Sequence, residues 1–173
     1  MYVWTWDSTG RVWYCTGGTR CTQCWVKKNK RAKTICNKAG VEREYEKYLQ
    51  KIQNNLIGHQ GITGEDELRK AGKHLFGRRF KGVFAADEIP RMLRSGESCI
   101  LNLDKRNQPG SHWIAIVKDK EFITYDSFGR KLTNSRHTEA DAEQHKIEEN
   151  CGQRCIAWLC VYYEYGAECA LMI

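Results

Sequence analysis

An α+β fold is expected for this chain on three observations. Residues 41–57 place apolar side chains at three- and four-residue spacing, the signature of one helix face. Residues 99–125 hold three short apolar runs separated by turn-forming residues, the pattern of strands. Residues 151–165 form a longer, broadly apolar run that reads as a buried helix.

The elements follow in chain order. Residues 2–6 (YVWTW) and 11–15 (RVWYC) are aromatic and β-branched, and Asp7-Ser8-Thr9-Gly10 between them is a turn signal, so an N-terminal β-hairpin extension is predicted. Residues 16–40 carry no period. Val41, Tyr45, Tyr48, Leu49, Ile52 and Leu56 then mark one face of a helix that ends at Gly58. Thr63 with Asp66 predicts an N-cap for a helix over about 65–75, which Gly72 should weaken. Residues 80–85 read as a short strand, and Pro90 to Ser95 as a helical turn. Strands are predicted at Cys99–Leu103, His112–Val117 and Phe122–Tyr125, the last two joined as a hairpin by Lys118-Asp119-Lys120-Glu121. The polar stretch 130–150 carries no element. Residues 1–40 therefore read as an extension and 41–173 as the main domain.

Hydrophobic residues at 41% and charged residues at 28% predict a packed core. No apolar run reaches the ~18 residues of a membrane helix, and residues 1–20 lack the pattern of a signal peptide. An intracellular, reducing setting is expected, in which all nine cysteines are thiols, buried, metal-bound or nucleophilic. Residues 1–40 hold eight Lys and Arg against Asp7 alone, a net +7 that equals the whole-chain charge. An anionic partner for that segment is expected, against the alternative of a plain solvated surface.

Cys151 stands where polar loop gives way to apolar helix, in Glu-Glu-Asn-Cys-Gly. The helix dipole and free N–H groups there favour a thiolate. Gly152 has no side chain to obstruct an approaching substrate. His112 opens an apolar strand, and a histidine there is able to take the thiol proton and return it to a leaving amine. If the two strands pair as a hairpin, their outer ends meet and Asp126 lies beside His112, where it fixes the imidazole. The Gln144 side chain, seven residues before Cys151, is a donor for a developing oxyanion together with the Cys151 N–H. Each residue also has a plainer reading: Cys151 as one more core cysteine beside Cys99, Cys155 and Cys160, and His112 as a structural histidine.

The ordered set His112-Trp113-Ile114-Ala115, Tyr125-Asp126-Ser127-Phe128-Gly129 and Gln144 to Cys151-Gly152 resembles the adenovirus-type protease family, the adenain-like cysteine peptidases of double-stranded DNA viruses and virophages. Phe80-Lys81-Gly82-Val83-Phe84 through Pro90, and Ile100 to Asp104, extend the likeness, which covers about 61–165. The resemblance implies a papain-like, adenain-like fold with a mixed central sheet packed against helices. It makes His112 the base, Asp126 the orienting acid, Gln144 an oxyanion donor, Cys151 the nucleophile and Trp113 a site-lining neighbour. It implies a viral maturation endopeptidase that cleaves capsid or core precursors in the virion and infected cell, with DNA and a short peptide as activators. The chemistry itself requires no cofactor. Ubiquitin-like-modifier proteases share the residue order, and an inactive nucleic-acid-binding virion protein is the non-enzymatic alternative. The run after Gly129, Arg130-Lys131-Leu132, lacks the prolines often seen there.

In the extension, Cys15, Cys21, Cys24 and Cys36 form a candidate zinc tetrad, against the alternative of reduced structural cysteines. Lys27, Lys28, Lys30, Arg31 and Lys33 are candidate phosphate contacts, with Trp4, Trp6, Trp13 and Trp25 offering stacking surfaces or merely packing the hairpin.

Overall fold

The computed structural model describes residues 4–6, 12–14, 37–90, 92–131, 136–138 and 142–173. The chain divides into two compact units, Met1–Ile35 and Cys36–Ile173. In the first, strands β1 (Trp4–Trp6) and β2 (Val12–Tyr14) pair antiparallel with Thr5 opposite Trp13. The candidate zinc tetrad Cys15, Cys21, Cys24 and Cys36 and the basic run Lys27 to Lys33 lie outside the described residues.

The second unit is α+β. Helix α1 (Lys38–Lys51) starts three residues before the apolar periodicity does, because Asn37 Oδ1 caps it by accepting the Gly40 N–H at 3.0 Å. Its Val41, Tyr45 and Leu49 are buried, and a π-helical turn over Ile52–Ile57 carries the chain to Gly58. Helix α2 (Glu65–Phe76) is capped at Gly64 rather than at Thr63. Glu67 Oε2 accepts the Gly64 N–H at 2.9 Å, closing half of a capping box one residue later than expected. Gly72 is a packing requirement: an added Cβ would lie 2.4 Å from the Phe80 ring. The small propensity cost of glycine therefore lets α2 and the sheet approach closely.

The sheet runs in the order β3 (Phe80–Phe84), β4 (Glu97–Asn102), β5 (Trp113–Lys118), β6 (Phe122–Tyr125), β7 (Arg136–His137). It is mixed: β3 with β4 and β6 with β7 are parallel, while β4 with β5 and β5 with β6 are antiparallel. The helical turn expected after Pro90 is not formed by residues 92–94, which are irregular. The outermost strand β7 comes from the polar stretch in which no element was expected.

Helix α3 (Cys151–Tyr165) packs on β5 and against α1, α2 and the short α4 (Ala167–Ala170). It is apolar nearly all round because it lies between layers. Trp158 is its fully buried centre, stacked on Tyr125 at 5.4 Å between ring centroids and donating its indole N–H to the Ala170 carbonyl at 2.8 Å. Tyr125 is the residue before Asp126, so the core packing fixes the end of β6. No helix among the described residues is long and apolar enough to cross a membrane. The expectation that all nine cysteines are thiols is corrected by Cys169, which is disulfide-bonded.

Candidate active site

The β5–β6 hairpin pairs Lys118 with Phe122 and Ala115 with Tyr125, so the residue before β5 and the residue after β6 meet at its open end. There His112 Nε2 lies 2.8 Å from Asp126 Oδ1. Both residues are 4% exposed. The carboxylate is held from three sides: Oδ1 also accepts the Phe128 N–H at 2.9 Å, and Oδ2 accepts Arg130 Nε at 2.8 Å. Phe128 in turn stacks on the imidazole at 4.7 Å and lies under the Arg130 guanidinium. The Asp126 carboxylate acts as acceptor, so Nε2 carries the hydrogen and Nδ1 presents its lone pair to the other side. Cys151 lines the same cleft as His112, and its interaction with the ring helps to raise the His112 pKa.

Burial alone would lower the His112 pKa, but the hydrogen bond to Asp126 and the interaction with Cys151 outweigh it and hold the pKa above its ordinary value. Burial would likewise raise that of Asp126, yet His112, the Phe128 N–H and Arg130 bring it below the usual carboxylate range. Both shifts favour the charged pair. Asp126→Asn keeps a polar acceptor but removes the charge, so the His112 pKa should fall. Turnover should fall less than in His112→Ala, because Asp126 orients rather than transfers a proton. Titration of the His112 ring by NMR alongside kcat checks both; a loss equal to that of His112→Ala would show that orientation is too modest a role.

Cys151 is the first residue of α3 and is half-buried, at the wall of a cleft of about 530 Å³ that His112, Trp113, Phe128, Gln144 and Thr63 also line. Among the described residues the other free thiols differ from it in burial. Cys99, Cys155 and Cys160 are buried and lie below the surface, and burial pushes their pKa values up, to about 12 for Cys99. Cys155 donates to the Trp113 carbonyl at 3.3 Å, tying α3 to β5.

Gln144 is buried and in the cleft wall. The Ser127 hydroxyl donates to its Oε1 at 2.6 Å, which fixes the amide so that Nε2 is the donor end, and Nε2 donates to the Glu148 carbonyl. Trp113 is anchored by its indole N–H to the Thr63 carbonyl at 3.0 Å. Gly152 is placed otherwise than expected. It is buried beneath the cleft, where an added Cβ would meet Leu68 at 2.9 Å and Thr63 at 3.2 Å. Its missing side chain serves the packing of α3 on α2, not access by substrate.

Sequence reasoning missed Ser127, Arg130 and Arg154. Ser127 and Arg130 flank Asp126 in the chain, and their polar side chains beside a buried carboxylate were the available signal. Arg154 gave a weaker one, a lone cation inside an apolar helix. Among the described residues no group of three or more His, Cys, Asp or Glu side chains is arranged to hold a metal ion. No family model matches the chain, and neither the curated proteins nor the solved structures contain a match.

Proposed function

We propose that the chain is a cysteine endopeptidase of papain-like, adenain-like fold that cleaves capsid or core precursor proteins during virion maturation. The observation that supports it is the buried His112, hydrogen-bonded through Nε2 to Asp126, with Cys151 at the wall of the same cleft.

The chemistry follows from that arrangement. His112 Nδ1 accepts the thiol proton and the Cys151 sulphur attacks the scissile carbonyl carbon. The oxyanion takes hydrogen bonds from the Cys151 N–H and the Gln144 amide. The imidazolium, steadied by Asp126, gives its proton to the leaving amine as the C–N bond breaks, leaving a thioester. Water, deprotonated by the same imidazole, then hydrolyses the thioester and restores the thiol.

The deciding experiment is incubation of candidate capsid precursors, with a panel of tagged ubiquitin-like substrates in parallel, with wild type and Cys151→Ala and sequencing of product termini. Cys151-dependent cleavage of precursors supports the reading. Cleavage confined to the ubiquitin-like panel transfers the enzyme to the modifier proteases, and no cleavage of either refutes it. Gln144→Ala should lower kcat by about 100-fold or more with a smaller change in KM, measured on a peptide substrate. For the basic run Lys27, Lys28, Lys30, Arg31 and Lys33 the proposed partner is DNA, with affinity that falls steeply as salt rises in a filter-binding titration.

A further inference from the structure

Asparagine is among the most favourable helix N-caps, because its side-chain oxygen accepts a first-turn backbone N–H. Asn150 occupies that position before Cys151, yet it does not cap α3. Its Oδ1 is held instead by Arg154 Nε at 2.9 Å. Arg154 is 5% exposed, and its other two nitrogens are also engaged: Nη1 with the Tyr45 hydroxyl at 3.2 Å, and Nη2 with Glu148 Oε2 at 3.2 Å. Glu46 adds a second carboxylate at 3.7 Å. Tyr45 is hydrogen-bonded at 2.7 Å to Tyr125, which precedes Asp126, and the Glu148 carbonyl accepts from Gln144. One guanidinium thus joins the start of the nucleophile helix, the segment that carries the amide donor and the strand that ends at the acid.

Resting on the peptidase reading, we propose that Arg154 is a positioning residue: it withholds the Asn150 side chain from the helix N-terminus, so that the first-turn N–H groups stay open to a substrate oxyanion, and it holds the 144–148 segment in register with Cys151. Without Arg154 the Asn150 carboxamide swings across the end of α3 and competes with the oxyanion for the same backbone donors.

Arg154→Met should therefore lower kcat on a peptide substrate by about 100-fold, as for loss of one oxyanion donor, with KM changed less than about threefold. Arg154→Lys should fail nearly as badly, because one ammonium nitrogen cannot serve three separated partners. The rate of Cys151 alkylation by iodoacetamide, which needs thiolate and histidine but no oxyanion donor, should stay within about threefold of wild type. Adding Asn150→Ala to Arg154→Met should restore about tenfold in kcat by removing the competing cap. A purely structural arginine would not be rescued by a second truncation. The inference is overturned if Arg154→Met keeps kcat within about threefold of wild type, or if Asn150→Ala restores nothing in the folded double variant. If Arg154→Met does not fold by circular dichroism, Arg154→Lys with and without Asn150→Ala decides on the same criteria. If that also fails to fold, Glu148→Ala, which frees one arm of the clamp from the half-exposed side, must lower kcat without raising KM, and an unchanged kcat overturns the inference. Wild type that neither cleaves nor alkylates faster than a free cysteine refutes the peptidase reading itself. An active wild type with indifferent Arg154 variants refutes only the role of Arg154.

Discussion

Cys151→Ala is expected to abolish peptide cleavage, by about a million-fold in kcat, while substrate affinity and thermal melting stay close to wild type. In the proposed mechanism the Cys151 sulphur forms the acyl bond, and the position is half-buried at a helix start, where alanine costs little. Active-site titration with a thiol-reactive peptide, followed by mass mapping, checks the assignment. Retained cleavage in Cys151→Ala together with its loss in Cys155→Ala would move the nucleophile one helical turn inward. The structure argues against that, since the Cys155 thiol is fully buried, its proton is tightly held and it donates to the Trp113 carbonyl.

His112→Ala is the second large effect, an expected loss in kcat of about 10²- to 10⁴-fold or more, because in the proposed mechanism thiolate formation and protonation of the leaving amine both pass through this ring. The same variant has a stability signature. The raised His112 pKa contributes stability fully below its ordinary value of 6.5, and that contribution is lost as pH rises through the folded value. The lowered Asp126 pKa contributes above 3.8, and that is lost as pH falls through its folded value. The stability difference between wild type and His112→Ala should therefore be greatest between these two values and shrink on either side. Urea unfolding across the pH range measures it, and a difference independent of pH would mean that the pair is not charged in the folded protein.

The parts of this site that were legible in the sequence are those set by periodicity. Strands β5 and β6 are short apolar runs, their loop is short, and the proximity of His112 and Asp126 followed from nothing more than pairing their ends. Helix α3 was equally plain, because a long apolar run has few other uses. The π-helical turn at Ile52–Ile57 was not, since its apolar residues continue the spacing of α1 and only the hydrogen-bond ladder widens. Buried polar centres were harder still. Gln144 was singled out by its distance from Cys151 and by a family pattern, whereas its partner Ser127 and the three-armed Arg154 stand at positions where hydrophobic patterning carries no information. Gly152 shows the complementary limit: a missing side chain is visible in sequence, but which neighbour occupies its space is not.

The β5–β6 hairpin also governs where this chain tolerates inserted residues. Its tip, Asp119 to Glu121, lies beyond the last strand pair, Lys118 with Phe122, and is closed by the Asp119 N–H to the Glu121 carbonyl. Residues added there lengthen a surface loop, at a closure cost of only about 0.6 kcal/mol for each doubling of loop length. The same addition inside β6 is of another order. One extra residue turns the Asp126 side chain to the opposite face of the sheet. Two restore the face but carry it about 7 Å along the strand, beyond hydrogen-bonding range of His112. A peptide tag or a fluorophore-bearing linker therefore belongs at Lys120, at the opposite end of the hairpin from the His112–Asp126 pair, where length varies freely and the spacing that matters does not.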